Sequence, residues 1–179
     1  MQEIESIIKT CSLLVGTIGG LIIAFKAVIE MKNTSKQRKI EHRWKQTEQA
    51  RIFLDEIKNN YKVYSALQML DWSERNYTLE NAVEMNITSE DIKIGLRTKK
   101  LQFSEKEAFI RDCFDSLYDN FEMIEHFIKK DLIVFEDIAI PIKYYVEKIN
   151  KKQFHSSYMK EYGYLLTLDF IDRFKYNKA

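Results

Sequence analysis

Few residues in this sequence have types and spacings suited to chemistry. The histidines are His42, His126 and His155. His42 lies among basic residues and His126 follows Glu125 on an amphipathic stretch, so both are expected to be solvated or at a helix boundary. The sequence contains no phosphate-binding glycine loop, no GxSxG or HExxH motif and no Cys/His cluster with metal-ligand spacing. These absences favour a protein without a metal ion, a cofactor or a hydrolase active site.

One polar stretch has a spacing with catalytic meaning, the residues NKKQFH at positions 150–155. The spacing resembles that of helical HEPN ribonucleases, in which an arginine precedes a histidine by a few residues at the start of a late helix. The resemblance implies that the histidine acts as acid or base on a ribose 2′-OH and that the arginine stabilises a pentavalent phosphate. Here Asn150 occupies the arginine position but carries no charge. Lys151 and Lys152 are in the wrong register, and lysine does not reproduce the paired donors of arginine. The simplest interpretation is that Asn150 and His155 are exposed turn residues.

The elements that would position such residues start with an apolar stretch near the N-terminus. Residues 10–25 carry no charge, and Lys9 and Lys26 bracket them. A helix rises about 1.5 Å per residue, so the uncharged part would span roughly 24 Å. With the adjoining apolar residues it would reach roughly 34 Å, compared with about 30 Å for a hydrocarbon core. We predict a single transmembrane helix at residues 7–31.

The two faces of this predicted helix differ. Small residues recur every fourth position on one face, which extends a GxxxG motif and predicts self-association of the helix. These residues are Ser12, Gly16, Gly20 and Ala24. Candidate pore-lining residues lie beside them, namely Thr10, Leu14, Thr17 and Leu21. The threonines offer a weakly polar lining and the leucines a hydrophobic gate.

The flanks of the helix predict its orientation. The residues expected at the membrane interface are Lys9, Lys26, Lys32, Lys36, Arg38 and Lys39. All but Lys9 follow the apolar core of the stretch, so the positive-inside rule places the C-terminal part in the cytoplasm and the N-terminus outside. A secretory signal is disfavoured because Glu3 and Glu5 replace a basic n-region and no small-residue cleavage site follows. The basic cluster fits anionic lipid headgroups better than nucleic acid.

Composition beyond this stretch indicates one helical domain. We divide the chain into a short segment at 1–6, the transmembrane helix at 7–31 and a cytosolic domain at 32–179. One proline and five glycines in the whole chain argue for helices with short connections, in an all-α bundle of about five helices. A net charge of +1 gives no global case for nucleic-acid binding. Two cysteines are too few for a disulfide framework.

Apolar periodicity places the first part of this domain. Residues 35–70 are predicted as one long helix, packed on the domain's own core or forming a stalk between copies. Asn33-Thr34-Ser35 either cap this helix or bend a continuous one. Residues 71–86 show poor periodicity and are predicted to be irregular.

Local end signals place the later elements. Thr88 is the predicted cap of a short helix, and Ser104 opens a capping box before a long amphipathic helix that contains Cys113. Residues 131–135 are a connection, and Pro141 suits the first turn of the following helix. A last helix is predicted to begin near Tyr158, after a polar break.

The order of these parts, with the altered Asn150/His155 pair, resembles a known family. It is similar to the membrane accessory protein of type VI-B CRISPR–Cas systems, which pairs a short N-terminal span with a divergent HEPN-like helical domain. The resemblance implies a homo-oligomeric ring in the inner membrane that forms a pore and depolarises the infected cell. It also implies a functional link to an RNA-guided, RNA-cleaving effector. Asn150 and His155 would be the degenerate HEPN pair, and the missing arginine argues against an enzyme.

Three hypotheses therefore stand. The first is a gated homo-oligomeric pore that enhances anti-phage defence, with the lipid bilayer and its own copies as partners. The second is a passive membrane anchor that recruits a cytosolic partner. The third is a membrane-tethered ribonuclease, for which direct binding of nucleic acid is an open question.

Overall fold

The computed structural model describes residues 2–78, 84–99 and 102–176, with the backbone alone described for residues 2–18 and 22. The described chain is mostly helical, as predicted, and it also contains two short strands. Its elements, in order, are α1 (Gln2–Asn59), α2 (Tyr61–Asp71), β1 (Glu74–Thr78), β2 (Glu84–Thr88), α3 (Ser89–Gly95), α4 (Glu105–Lys129), α5 (Phe135–Asn150), α6 (Gln153–Tyr162) and α7 (Leu165–Tyr176).

The chain divides into two compact units, Met1–Trp44 and Lys45–Ala179. The first consists of the N-terminal part of α1, which continues without a break through residues 33–35. The continuous helix, rather than a cap at these positions, is therefore observed. Among the described residues, no helix is both long and apolar enough to qualify as a membrane span.

The predicted single helix over residues 35–70 is interrupted at Asn60. The Asn60 side chain accepts hydrogen bonds from the backbone N–H groups of Lys62 and Val63, at 3.0 and 3.2 Å, and so caps α2. The break changes the helical phase, which leaves Tyr61 and Tyr64 exposed. The apolar pattern that predicted one helix thus runs across two.

The segment predicted to be irregular contains an antiparallel hairpin of β1 and β2. Tyr77 pairs with Met85, and Arg75 pairs with Ile87. Tyr77 and Ile87 are buried, whereas most other residues of the strands are exposed. So few apolar residues leave almost no alternation to detect, which explains why the sequence did not predict the strands.

The predicted starts of two helices are confirmed. Thr88 and Asp91 form a reciprocal capping box at α3, and Ser104 and Glu107 form another at α4. Each pair satisfies backbone N–H groups that a helix start would otherwise leave without partners. The connection after α4 is also confirmed, since α4 ends at Lys129 and α5 begins at Phe135.

Helix α4 is the central element of the unit Lys45–Ala179. It packs against α2, α3 and α7, and α5 packs against α2, α6 and α7. The buried face of α4 includes Ile110, Cys113, Phe114, Leu117, Tyr118, Phe121, Ile124 and Glu125. The predicted core position of Cys113 is confirmed.

Two predicted helix ends are wrong. Pro141 lies inside α5 rather than in its first turn, because burial of Phe135 and Ile138 extends the helix towards the N-terminus. The single last helix is in fact two helices, α6 and α7. Gly163 separates them with φ of 83°, the left-handed conformation that glycine adopts readily.

Candidate functional site

The N-terminal small-residue face is described in part. The side chains of Thr10, Ser12, Leu14, Gly16 and Thr17, and that of Lys9, lie outside the described residues. For Gly20, no described atom beyond its chain neighbours and the adjacent backbone of its own helix lies within 4 Å of the position that a Cβ would occupy. Ala24 and Leu21 are exposed. The described part of this face is therefore open to a neighbouring helix.

Large apolar side chains are exposed along the next turns of α1. Leu21, Ile23, Phe25, Val28 and Met31 have exposed fractions between 61% and 73%. These side chains lie on several sides of the helix, with Lys26 and Glu30 between them. Such a largely apolar exposed surface is typical of a segment that contacts lipid or another protein.

The residues predicted at the membrane interface are exposed where their side chains are described. These are Lys26, Lys32, Lys36, Arg38 and Lys39. Lys26 lies within the segment from Leu21 to Met31, and the other four follow it. The exposed helix therefore becomes more basic after Met31.

The structure does not bring Asn150 and His155 together as a pair of solvated groups. Asn150 is the exposed last residue of α5. His155 lies in the first turns of α6 and is fully buried. The predicted exposure is thus confirmed for Asn150, although this residue ends a helix and does not lie in a turn. For His155 the interpretation is wrong, because α6 starts at Gln153 and turns this side chain into the core.

His155 is surrounded by aromatic rings. Its ring centroid lies 4.3 Å from that of Phe154 and 5.2 Å from that of Phe114. Its Nδ1 atom shares a hydrogen bond of 2.7 Å with the Tyr118 hydroxyl. Its Nε2 atom is buried, and no described residue forms a hydrogen bond with it. This histidine therefore joins α6 to α4 through one polar contact.

Burial determines the protonation state of this pair. Loss of solvation lowers the pKa of His155 to about 3, with a smaller contribution from the charge of Lys152. Burial also raises the pKa of the Tyr118 hydroxyl well above its ordinary value. Both groups are neutral at physiological pH, so His155 lacks the acidic proton of an imidazolium.

A second polar contact between α4 and α6 lies beside the first. The Tyr158 hydroxyl donates a hydrogen bond of 2.7 Å to Asp115. The Arg111 guanidinium lies 4.8 Å from the Tyr158 ring centroid and 4.7 Å from that of Tyr162. It also donates to the carbonyl oxygen of Gly95, at 3.2 Å. The only arginine in this cluster is thus occupied by aromatic and backbone contacts among the described residues.

A buried ion pair fixes α7 to α4. The carboxylate of Glu125 is fully buried and accepts two hydrogen bonds from Arg173, at 2.7 and 2.8 Å. Paired charges of this geometry satisfy each other in a region of low polarity. The contact positions the last helix and leaves the carboxylate inaccessible to a substrate.

Metal binding and thiol chemistry find little support in the described side chains. They contain no group of three or more His, Cys, Asp or Glu residues arranged to hold a metal ion. Burial raises the pKa of the Cys113 thiol to about 12, so the reactive thiolate is absent at neutral pH.

Sequence reasoning missed Asp115, Tyr118 and Tyr158 as polar partners. Apolar periodicity places Tyr118 on the apolar face of α4 and Tyr158 on an apolar helix face, where no polar role is expected. A signal existed, because His155 and Tyr158 are three residues apart and share one face of a helix. Their partners could not be found without knowing how α6 packs on α4.

Comparison with known proteins does not assign this arrangement to a family. The chain matches no protein-family model, no curated protein and no solved structure.

Proposed function

We propose that this protein is a single-pass membrane protein that assembles with its own copies into a pore and enhances CRISPR–Cas antiviral defence. The observation that carries the proposal is the largely apolar exposed surface of α1 from Leu21 to Met31, which Lys26 and Glu30 interrupt and which exposed basic residues follow. This surface continues the uncharged sequence of residues 10–20 within one helix. An unpaired apolar helix of this kind is stable where lipid or similar helices cover it.

The open face around Gly20 supports assembly through this helix. Beyond its own stretch of helix, Gly20 has no described atom within 4 Å of its Cβ position, which allows another backbone to approach closely. Close approach is what drives association in lipid, because the solvent is as apolar as the helix. A single span cannot enclose a channel, so several copies would surround the pore axis with Thr10, Leu14, Thr17 and Leu21 as lining residues.

The physiological role comes from the resemblance to the type VI-B accessory proteins. In this proposal the ring lies in the inner membrane with residues 32–179 in the cytoplasm. Activation of the RNA-guided effector opens the pore and depolarises the membrane. The helical content of the cytosolic part agrees with a divergent HEPN-like domain.

The surroundings of His155 support a role without RNA cleavage. A general acid or base must reach the proton that it transfers, and it works best with a pKa near the working pH. His155 is buried and has a pKa of about 3. Asn150 has no charge to stabilise a phosphorane. The domain in this proposal serves for assembly or signal reception.

The test is substitution of both Gly16 and Gly20 by leucine. Bulky side chains on this face should prevent close helix contact and so convert the detergent-solubilised ring to smaller species. Ion flux in liposomes and protection against phage should be lost together. The control is Val28→Leu, which changes an exposed large residue without closing the small-residue face.

Three results would contradict the proposal. One is a wild-type protein that is monomeric or dimeric in detergent. Another is a double variant that keeps normal protection and ion flux. The third is full protection by a chimera in which an unrelated single span replaces the native one, since this would indicate a passive anchor.

A further inference from the structure

The unit Lys45–Ala179 contains an apolar pocket that the proposed pore does not use. It has a volume of about 250 Å³ and lies between the C-terminal end of α1 and helices α2, α4 and α5. Leu67, Phe121 and Ile142 form part of its wall, and all three are core residues with at most 7% exposure. Its wall is therefore preformed by packed helices and does not depend on a mobile loop.

The size of the pocket limits the ligand. An engineered apolar cavity of about 150 Å³ stays dry and binds benzene. The larger volume here accommodates a bicyclic ring or a single acyl chain of medium length, and it is too small for a lipid with two chains.

The polar groups of the pocket indicate the charge of the ligand. Among its described lining residues, Lys58 is the only charged one, and its side chain is exposed to solvent. Tyr64 and Tyr145 add two phenol groups. Burial, with a further contribution from Asp71, raises the pKa of Tyr145, so its hydroxyl stays a neutral donor. The Tyr145 hydroxyl donates a hydrogen bond to the Asp71 carboxylate, at 3.5 Å. The Lys58 ammonium and the Tyr64 hydroxyl are therefore the donors at the pocket that favour an anionic head group.

We propose that this pocket binds a small single-chain amphiphile with one anionic group, such as a medium-chain carboxylate. The apolar chain occupies the space above Phe121, and the carboxylate pairs with Lys58. The inference does not depend on the proposed membrane pore, because all the residues that carry it lie between residues 54 and 145.

Photolabelling with a diazirine analogue of decanoic acid tests the site in the full-length protein. The chain is reconstituted in nanodiscs of neutral phosphatidylcholine, irradiated and digested, and the labelled residues are identified by mass spectrometry. Saturable labelling should appear at residues of the pocket wall, such as Tyr64 or Tyr145. Unlabelled decanoate should compete about fivefold better than decanol, because only the acid pairs with Lys58.

Matched variants separate the pocket from general apolar binding. Ile142→Trp fills the pocket and should abolish the saturable label, whereas Ile140→Trp changes an exposed residue of the same helix and should retain it. Lys58→Gln should weaken labelling about fivefold, and Lys143→Gln, an exposed lysine of α5 that does not line the pocket, should leave it unchanged.

Labelling that does not saturate, or that maps outside the pocket, would overturn the proposal. Equal competition by decanoate and decanol would overturn the anionic head group. If Ile142→Trp fails to fold, the Lys58→Gln variant and the comparison of decanoate with decanol still decide the result, because both experiments leave the protein core unchanged.

Discussion

Replacing His155 by glutamine should remove part of the acid sensitivity of the helical domain. The pKa of His155 is about 3 in the folded protein, compared with an ordinary value of 6.5. Between these two values the unfolded chain binds a proton that the folded chain does not. The free energy of unfolding therefore falls as the pH falls from 6.5 towards 3, and it is restored as the pH rises.

The size of this change in unfolding free energy follows from the one proton that the unfolded chain binds and the folded chain does not. Each pH unit within this range is worth about 1.4 kcal/mol. At pH 6.5 the unfolded histidine is already half protonated, so going from pH 6.5 to pH 5.0 should cost the wild type roughly 1.6 kcal/mol through His155 alone. Glutamine keeps a polar group next to Tyr118 but does not titrate. His155→Gln should lose about 1.6 kcal/mol less than the wild type over the same interval.

Urea denaturation of the full-length protein in a mild non-ionic detergent measures this difference. Far-ultraviolet circular dichroism at pH 6.5 and 5.0 gives the free energy of unfolding at each pH, and the other titrating groups cancel in the comparison. His126→Gln is the matched control, because it removes an exposed histidine of α4. The reasoning is refuted if His155→Gln retains the wild-type pH dependence, or if His126→Gln loses it to the same extent.

Three further changes test the packing of the domain. Arg173→Ala should cost about 3 kcal/mol in urea denaturation, because it leaves the Glu125 carboxylate buried without its bidentate partner. Gly95→Ala should cost about 1–2 kcal/mol in the same assay, since the new Cβ would lie 3.0 Å from the buried side chain of Ile110. Thr88→Ala should cost about 1 kcal/mol and lower protection of the α3 amides from hydrogen exchange, because it removes the helix cap.

Each of these has a direct control. Lys175→Ala removes an exposed ion pair and should change stability by less than about 0.5 kcal/mol. A cost for Arg173→Ala no larger than this would show that Glu125 finds another partner. A neutral Gly95→Ala would show that Ile110 can move. Ser89→Ala, next to the cap, should leave α3 protected, and equal losses in the two variants would argue against capping.

Local sequence signals predicted the parts of the fold that depend on short-range physics. The capping boxes at Thr88 and Ser104 satisfy N–H groups within the same four residues, so no tertiary knowledge is needed. Helix α4 is long and strongly amphipathic, which is why its buried face was largely predictable. The mostly helical character followed from the scarcity of glycine and proline.

The errors arose where packing overrides local preference. Asn60 breaks an apolar pattern that continues on both sides. Pro141 lies inside α5, where burial of Ile138 and Ile142 stabilises the helix on both sides of it. Gly163 is a helix-termination signal in the sequence. It was overlooked because apolar residues continue on both sides of it. The burial of His155 depends on the contact between α6 and α4, which no local pattern encodes.

The hairpin of β1 and β2 has consequences for solubility at high concentration. A sheet of two strands has no central strand, so each strand has one side without a strand partner among the described residues. Such an unpaired strand edge can pair with strands of other molecules and start aggregation. Here each strand is five residues long and carries exposed charge, with Glu74 and Arg75 on one and Glu84 on the other. Replacing these charged residues by valine would turn the unpaired strand edges into templates for fibrous assembly.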